Sequence, residues 1–183
     1  MTEMLKSLDV QLLLWINSKG GGIWDMIMWY GTKGWAGLPL YCIGVLWAAW
    51  RHRDQLLRAC LTVIIAVGLS DFFSSRILKP LIGRQRPSHD PALLGKVRLI
   101  RGYKGGLYSF PSGHASNTTA GVVAFAGHFR SPFLWTIGLS WVAFHSLTRV
   151  YLGVHYPGDI IGGWLFGSLI GIVLLAISKR IYA

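Results

Sequence analysis

Cysteine is nearly absent from this chain. Cys42 and Cys60 are the only two, and both lie inside apolar segments. That excludes a disulfide framework and a thiolate zinc site, and leaves two small buried hydrophobes. Charge is also sparse: 14% of the 183 residues are Asp, Glu, Lys or Arg, against about 25% in an ordinary soluble domain. Acidic residues are the scarcest, with 7 Asp and Glu against 18 Lys and Arg, a formal net charge of +11. Such an imbalance fits nucleic acid, anionic lipid or a phosphorylated substrate. Nucleic acid is disfavoured, because the cations sit in short connectors between apolar spans. Zinc-finger spacing, an aromatic RNA-binding signature and a separate basic domain are all missing. No internal repeat, low-complexity tract or cleavable signal peptide is evident.

What the chain has in quantity is apolar surface. Hydrophobic residues make up 52% of it, and there are nine tryptophans. Trp50, Trp135 and Trp164 fall near the ends of apolar segments, where membrane proteins place interfacial anchors. Residues 1–20 carry Met4, Leu5, Leu8, Leu12, Trp15 and Ile16 at helical spacing with charge between them. The run is too short to span and predicts an amphipathic helix on the membrane surface, followed by a short element over 23–30. Five stretches then qualify as crossings: 35–50, 56–78, 115–129, 132–148 and 159–178. The third and fourth are short for a span and require a protein-lined recess at their ends. The fold class expected is therefore all-α, an integral membrane bundle of about five to six helices plus the N-terminal amphipathic one. It forms a single domain over 1–183.

Three short strings hold the charged chemistry: Lys79-Pro-Leu-Ile-Gly-Arg-Gln-Arg86-Pro87, Pro111-Ser112-Gly113-His114, and Arg149-Val-Tyr-Leu-Gly-Val-His155-Tyr-Pro-Gly-Asp159. Counting crossings puts all three on one side of the bilayer. His155 and Asp159, four apart at the start of the last span, can share a hydrogen bond that fixes the imidazole tautomer and leaves the other nitrogen nucleophilic. Read alone, Tyr156-Pro157-Gly158-Asp159 is equally a helix start with Asp159 as its cap. Gly113 lets backbone approach a ligand, and a helix beginning there offers free N–H groups to phosphate oxygens beside the Ser112 hydroxyl. His114 is then placed to protonate a leaving oxygen. Lys79, Arg86 and Arg149 complete a cationic cage suited to phosphoryl transfer. A plain anionic-lipid patch would need neither the two histidines nor the carboxylate.

The three strings together resemble the type 2 phosphatidic acid phosphatase superfamily, whose fold is shared with vanadium-dependent haloperoxidases and glucose-6-phosphatase. The family signature is Lys-x6-Arg-Pro, Pro-Ser-Gly-His, then Ser-Arg-x5-His-x3-Asp. The resemblance covers a catalytic core over about residues 55–178, and the N-terminal helix lies outside it. One position departs: Thr148 stands where the family usually has serine, which keeps a hydroxyl but adds a methyl. The resemblance implies a lipid phosphatase in which His155 attacks phosphorus and forms a phosphohistidine, Asp159 orients it, and His114 serves as acid and then base. Lys79, Arg86, Ser112, Gly113 and Arg149 would hold the phosphoryl group. No cofactor or metal is expected, and no obligate protein partner is evident beyond the lipid phosphate or pyrophosphate substrate and the membrane.

Around this core Asp71, inside the second span, is expected to pair with a motif arginine or Asn117, and His145 lies one turn before Arg149. Lys96, Arg98, Arg101 and Lys104 cluster in the long motif loop and suit a polyanionic headgroup or an anionic membrane surface. Candidate substrates are undecaprenyl pyrophosphate, phosphatidylglycerol phosphate, phosphatidic acid and lipid A phosphate, with a tilt toward pyrophosphate or lipid A. A catalytically silent lipid-phosphate binding or transport protein is the alternative. The motif face carries more cations and a plain positive-inside count would make it cytoplasmic; with the cations suited to ligand binding set aside, Arg51, Arg53, Lys179 and Arg180 mark the opposite face as cytoplasmic. The motif face would then be periplasmic or external on a bacterial inner membrane.

Overall fold

The computed structural model describes residues 3–181. Its helices are α1 (Glu3–Ser18), α2 (Gly22–Gly31), α3 (Leu38–Arg51), α4 (Arg53–Phe72), a short α5 (Lys79–Ile82), α6 (Gly113–Phe129), α7 (Pro132–Tyr151) and α8 (Pro157–Ile181). No strand occurs among the described residues; Gln85 and Tyr108 form an isolated antiparallel bridge across the base of the motif loop. The five expected crossings overlap α3, α4, α6, α7 and α8; α3 begins three residues later than expected, and α6, α7 and α8 run two to five residues longer.

Between α4 and α5 the helix does not break. Phe73–Leu78 adopt π-helical hydrogen bonding, so Arg53–Ile82 runs as one rod with a wider turn near its end. This rod and α8 are long and apolar enough to cross a bilayer, with mean hydropathy of 1.9 and 2.4. Their outer faces show Leu57, Ile64, Ile65, Leu69, Leu165, Leu169 and Ile172 to the surroundings. Such exposure is costly in water and natural where hydrocarbon is the solvent.

Apolar burial adds little between helices in lipid, so close backbone approach must hold them together. Gly163, Gly167 and Gly171 line one stripe of α8 against α6. A Cβ on Gly167 would lie 2.2 Å from the Ser116 carbonyl oxygen, and one on Gly171 would lie 2.8 Å from Val123 Cβ. Polar contacts pin the other helices. Trp164 Nε1 donates to Ser146 Oγ (3.0 Å), Trp141 Nε1 to the Tyr41 hydroxyl (3.0 Å), and Thr62 Oγ1 to Ser178 Oγ (3.1 Å).

The N-terminal helix is amphipathic in an inverted sense. Met4, Leu5, Leu8, Leu12 and Trp15 face outward, whereas Asp9, Leu13 and Asn17, four residues apart, are buried against α7 and α8. Asn17 closes a tight junction. Its side-chain amide donates to the Tyr151 carbonyl (2.7 Å) and the Arg98 carbonyl (2.9 Å), and its Oδ1 accepts from the Arg98 amide (2.7 Å). Arg98 in turn reaches both oxygens of Asp25 on α2. The motif loop is thereby tied to both N-terminal helices, and one member of its basic cluster is spent on architecture.

Candidate active site

Helix ends build the site. Ser112 is the N-cap of α6, with its Oγ accepting from the Ala115 amide. The amides of Gly113 and His114, the first two helical residues, lack intrahelical partners, the arrangement that suits an anion at a helix start. A Cβ on Gly113 would stand 3.6 Å from Lys79 Nζ, in the space a bound anion would need. The missing side chain thus keeps a lysine and a helix terminus converging on one point.

Arg149 leaves α7 in its last turn and is 2% exposed. Its Nη1 donates to Thr32 Oγ1, its Nη2 donates to the Tyr103 hydroxyl (3.3 Å), and its Nε is buried without a partner. Arg86 is held by the carbonyls of Tyr108 and Val154, both at 3.1 Å. Its Nη1 also donates to His155 Nε2 at 2.9 Å. Burial, then the neighbouring Arg149 charge, lowers the Arg86 pKa to about 10, so it stays cationic at neutral pH.

His155 is 1% exposed and Asp159 is 0% exposed. Nδ1 of His155 lies 3.3 Å from Asp159 Oδ2. With Nε2 taking a hydrogen bond from a guanidinium that can only donate, the proton must sit on Nδ1, toward the carboxylate. The lone pair on Nε2 then points into the cationic cage. Burial, then the charges of Arg86, Arg149 and Lys79, push the His155 pKa well below the ordinary histidine value. The imidazole is therefore neutral, with Nε2 unprotonated. Asp159 Oδ2 also accepts from the Tyr156 amide (2.9 Å), so the carboxylate caps α8 and orients His155 together, and the two readings of its position coincide.

The remaining expected residues gather nearby. His114 and His145 lie ring to ring at 5.1 Å, and His145 stacks on Trp141 at 5.1 Å with 12° between the planes. Asp71 accepts from Asn117 Nδ2 at 2.9 Å; the pairing is with Asn117 and not with a motif arginine. Thr148 Oγ1 donates to the His145 carbonyl at 2.7 Å, so its hydroxyl serves its own helix, while its methyl abuts α2 at Gly31.

Several residues were not anticipated from the sequence. Arg84, inside the first motif, donates through Nη1 to Asp159 Oδ1 (2.8 Å) and through Nη2 to Asp9 of α1. Asp9 Oδ1 accepts from the Gly158 amide (2.7 Å), and the Arg84 guanidinium stacks 4.0 Å over the Tyr156 ring. Thr32 and Tyr103 hold Arg149 from α2 and the motif loop. Beside His114 opens an apolar groove of about 580 Å³ between α3, α4, α6 and α7, lined by Tyr41, Val63, Val67, Phe125 and Trp141. It follows α6 from His114 to Phe125, about 17 Å at helical rise. Among the described residues no group of three or more His, Cys, Asp or Glu is placed to hold a metal ion.

This arrangement agrees with what the chain is similar to. It is 32% identical to a lipid A 4'-phosphatase of Bacteroides thetaiotaomicron, in an alignment spanning all of this chain and 82% of that protein. It is 34% identical to a decaprenylphosphoryl-5-phosphoribose phosphatase of Mycobacterium tuberculosis, over 78% of this chain and 76% of the other. The fold matches the crystal structure of a transmembrane PAP2 type phosphatidylglycerolphosphate phosphatase from Bacillus subtilis. There the TM-score is 0.70 at 22% identity, over 98% of this chain and 89% of that one. The family model of the PAP2 superfamily matches residues 55–182, the segment that carries all three motifs, and the chain belongs to that superfamily of membrane phosphatases.

Proposed function

We infer that the protein removes a phosphate monoester from a lipid of the lipid A type, by way of a phosphohistidine at His155. One observation carries the reading: a buried imidazole whose Nδ1 faces Asp159 and whose Nε2 lone pair points at Arg86 inside a cage shared with Arg149 and Lys79. In the first step Nε2 bonds to phosphorus as the bond from phosphorus to the lipid oxygen breaks, and His114 gives that oxygen its proton. In the second step His114 takes a proton from water, the water oxygen bonds to phosphorus, and the bond from nitrogen to phosphorus breaks to release phosphate. The arginines and the α6 amides neutralise the equatorial oxygens throughout. The groove beside His114 seats an acyl chain, so the scissile bond lies where hydrocarbon meets the cage.

Similarity along the whole chain to a lipid A 4'-phosphatase favours that substrate over the pyrophosphate and glycerolipid candidates. With Arg51, Arg53 and Lys179 at the other end, the cage faces the periplasm of a bacterial inner membrane. The test is phosphate release by detergent-purified protein in EDTA, from lipid A, undecaprenyl pyrophosphate, phosphatidylglycerol phosphate and phosphatidic acid. Release is expected to be fastest from lipid A and to fall at least about 10³-fold in His155→Ala. Equal turnover of wild type and variant would exclude the phosphohistidine. Absence of turnover on every lipid would favour the silent binding protein.

A further inference from the structure

Every carboxylate on the motif face is already committed. Asp9 and Asp159 share Arg84, Asp25 takes Arg98 and the Tyr151 hydroxyl, Asp71 takes Asn117, and Asp90 accepts from the Tyr156 hydroxyl. Glu3 pairs with Lys6 on α1, and Asp54 lies in the first turn of α4 at the opposite end. Of the cations left with no acidic partner among the described residues, Lys33 and Arg101 converge on one ring. Lys33 Nζ sits 4.2 Å from the centroid of Trp29, and Arg101 Cζ lies 5.2 Å from the same ring and 5.6 Å from Tyr30. Two like charges drawn to one indole repel each other, and a shared anion between them would relieve that repulsion.

Backbone strain falls at the same place. Arg101 holds φ 52° and ψ 28°, a left-handed conformation that a side chain with a Cβ pays for and that glycine would adopt freely. Strain of this kind tends to persist where it aims a functional side chain. Arg101 sits beside Gly102, also at positive φ, so the turn itself does not lack glycine; the cation stands where a glycine would be easier.

The pair is wired to the phosphate cage. Trp29 meets Tyr103 edge to face at 5.7 Å, and Arg149 also packs on Tyr103, with its Cζ 5.5 Å from the ring centroid and its Nη2 bonded to the hydroxyl. Lys33 directly follows Thr32, the other partner of Arg149. Burial would raise the Tyr103 pKa, but the charges of Arg149, Arg86 and Lys33 outweigh it and lower the pKa, so one positive field runs from the cage to Lys33. Tyr103 is thus in contact with both cation groups, with Arg149 directly and with Lys33 and Arg101 through Trp29.

We propose that Lys33 and Arg101, both packed against Trp29, form a second anion subsite that holds a non-hydrolysed phosphate of the same headgroup, beyond Tyr103 from the phosphate in the cage. The ligand class is a bis-phosphorylated glycolipid. This rests on the lipid A phosphatase reading above and assigns residues of this chain to the phosphate that is not hydrolysed.

The test compares kcat/KM for bis-phosphorylated lipid A with that for lipid A carrying only the hydrolysed phosphate, both in uncharged dodecyl maltoside micelles. Wild type should prefer the bis-phosphorylated lipid by about tenfold or more, the scale of one charge-assisted contact. Lys33→Gln and Arg101→Gly should each bring the ratio toward one, chiefly through KM. Arg101→Gly removes the cation while relieving the positive φ, so backbone damage cannot account for its effect. A ratio near one in wild type with turnover intact would overturn the subsite and leave the phosphatase reading standing; no turnover of either lipid would fell that reading itself. A third arm adds phosphatidylglycerol to the micelles. If the variants lose activity equally on both lipids, and only when phosphatidylglycerol is present, the cations meet the membrane surface and the subsite is overturned.

Discussion

Arg84 stands between two carboxylates, bonding Asp159 with one terminal nitrogen and Asp9 with the other. The carboxylate beside His155 is thereby neutralised by a guanidinium that is itself anchored on the N-terminal helix. Asp159 is fully buried and Asp9 nearly so, and burying two carboxylates near each other without a cation between them is strongly unfavourable.

Replacing Arg84 by Gln should therefore affect both stability and rate. Removing one partner of a buried ion pair costs on the order of 3 kcal/mol, seen as a lower Tm in detergent. The rate loss should appear in kcat, by about ten- to a hundredfold, the usual scale for a residue that orients a reacting group from behind. Asp9→Asn should shift kcat in the same direction by less, because Arg84 keeps its bond to Asp159. Unchanged kcat in both variants would show that the network is purely architectural.

The protonation state of His155 gives a second prediction. Its pKa in the folded protein lies well below the histidine value because of burial and three neighbouring cations. The unfolded chain takes up a proton near pH 6.5, whereas the folded one does not. Stability conferred by the neutral imidazole is thus fully present above pH 6.5 and is lost as pH falls toward the folded-state value. In 15N-histidine spectra the His155 ring should remain neutral, protonated on Nδ1, at pH 5.5. A charged ring at that pH would contradict the tautomer derived from Arg86 and Asp159.

Glycines on α8 and α4 should respond oppositely to the same change. Gly167→Ala places a methyl 2.2 Å from the Ser116 carbonyl oxygen, forces α8 off α6 and should cost about 1–3 kcal/mol or more. Gly68→Ala adds a methyl where nothing lies within 4 Å and should leave Tm level or raise it, since alanine favours helix by about 1 kcal/mol. Thermal unfolding of the two variants in one detergent checks both, and equal Tm values would show that the glycine stripe does not set the packing distance.

The cage was legible in the sequence because its chemistry is written in short strings with fixed spacing. Lys79, His114, Arg149 and Asp159 sit at helix ends, with Arg86 and His155 in the loops between, and their neighbours in sequence are also neighbours in space. The supporting residues come from distant segments, one at a time. Thr32 and Tyr103 are ordinary in sequence and acquire a role only by meeting Arg149. Arg84 was hidden among the unspecified positions of the first motif. Asp9 did leave a signal: with Leu13 and Asn17 it forms a stripe at four-residue spacing opposite the apolar face of α1, the reverse of the stripe used to assign that helix. Glycine recurring every fourth residue from Gly163 was likewise visible, and identifies the face of α8 that meets another backbone. The basic loop could not be resolved without coordinates, because only tertiary contacts separate Arg98, locked on Asp25, from Arg101.

The wide turn at Phe73–Leu78 changes the phase of the longest rod in the molecule. A residue accommodated by π-type hydrogen bonding rotates everything after it by about 100° relative to an uninterrupted α-helix. Up to Phe72 the side chains are indexed to lipid and to α6; past the wide turn Lys79 alone turns inward, its Nζ 3.6 Å from where a Gly113 Cβ would stand, while Leu81 and Ile82 face outward. Spacing there is angular as well as linear, and losing one residue from 73–78 would shorten the rod by only about 1.5 Å while swinging the lysine toward the bilayer.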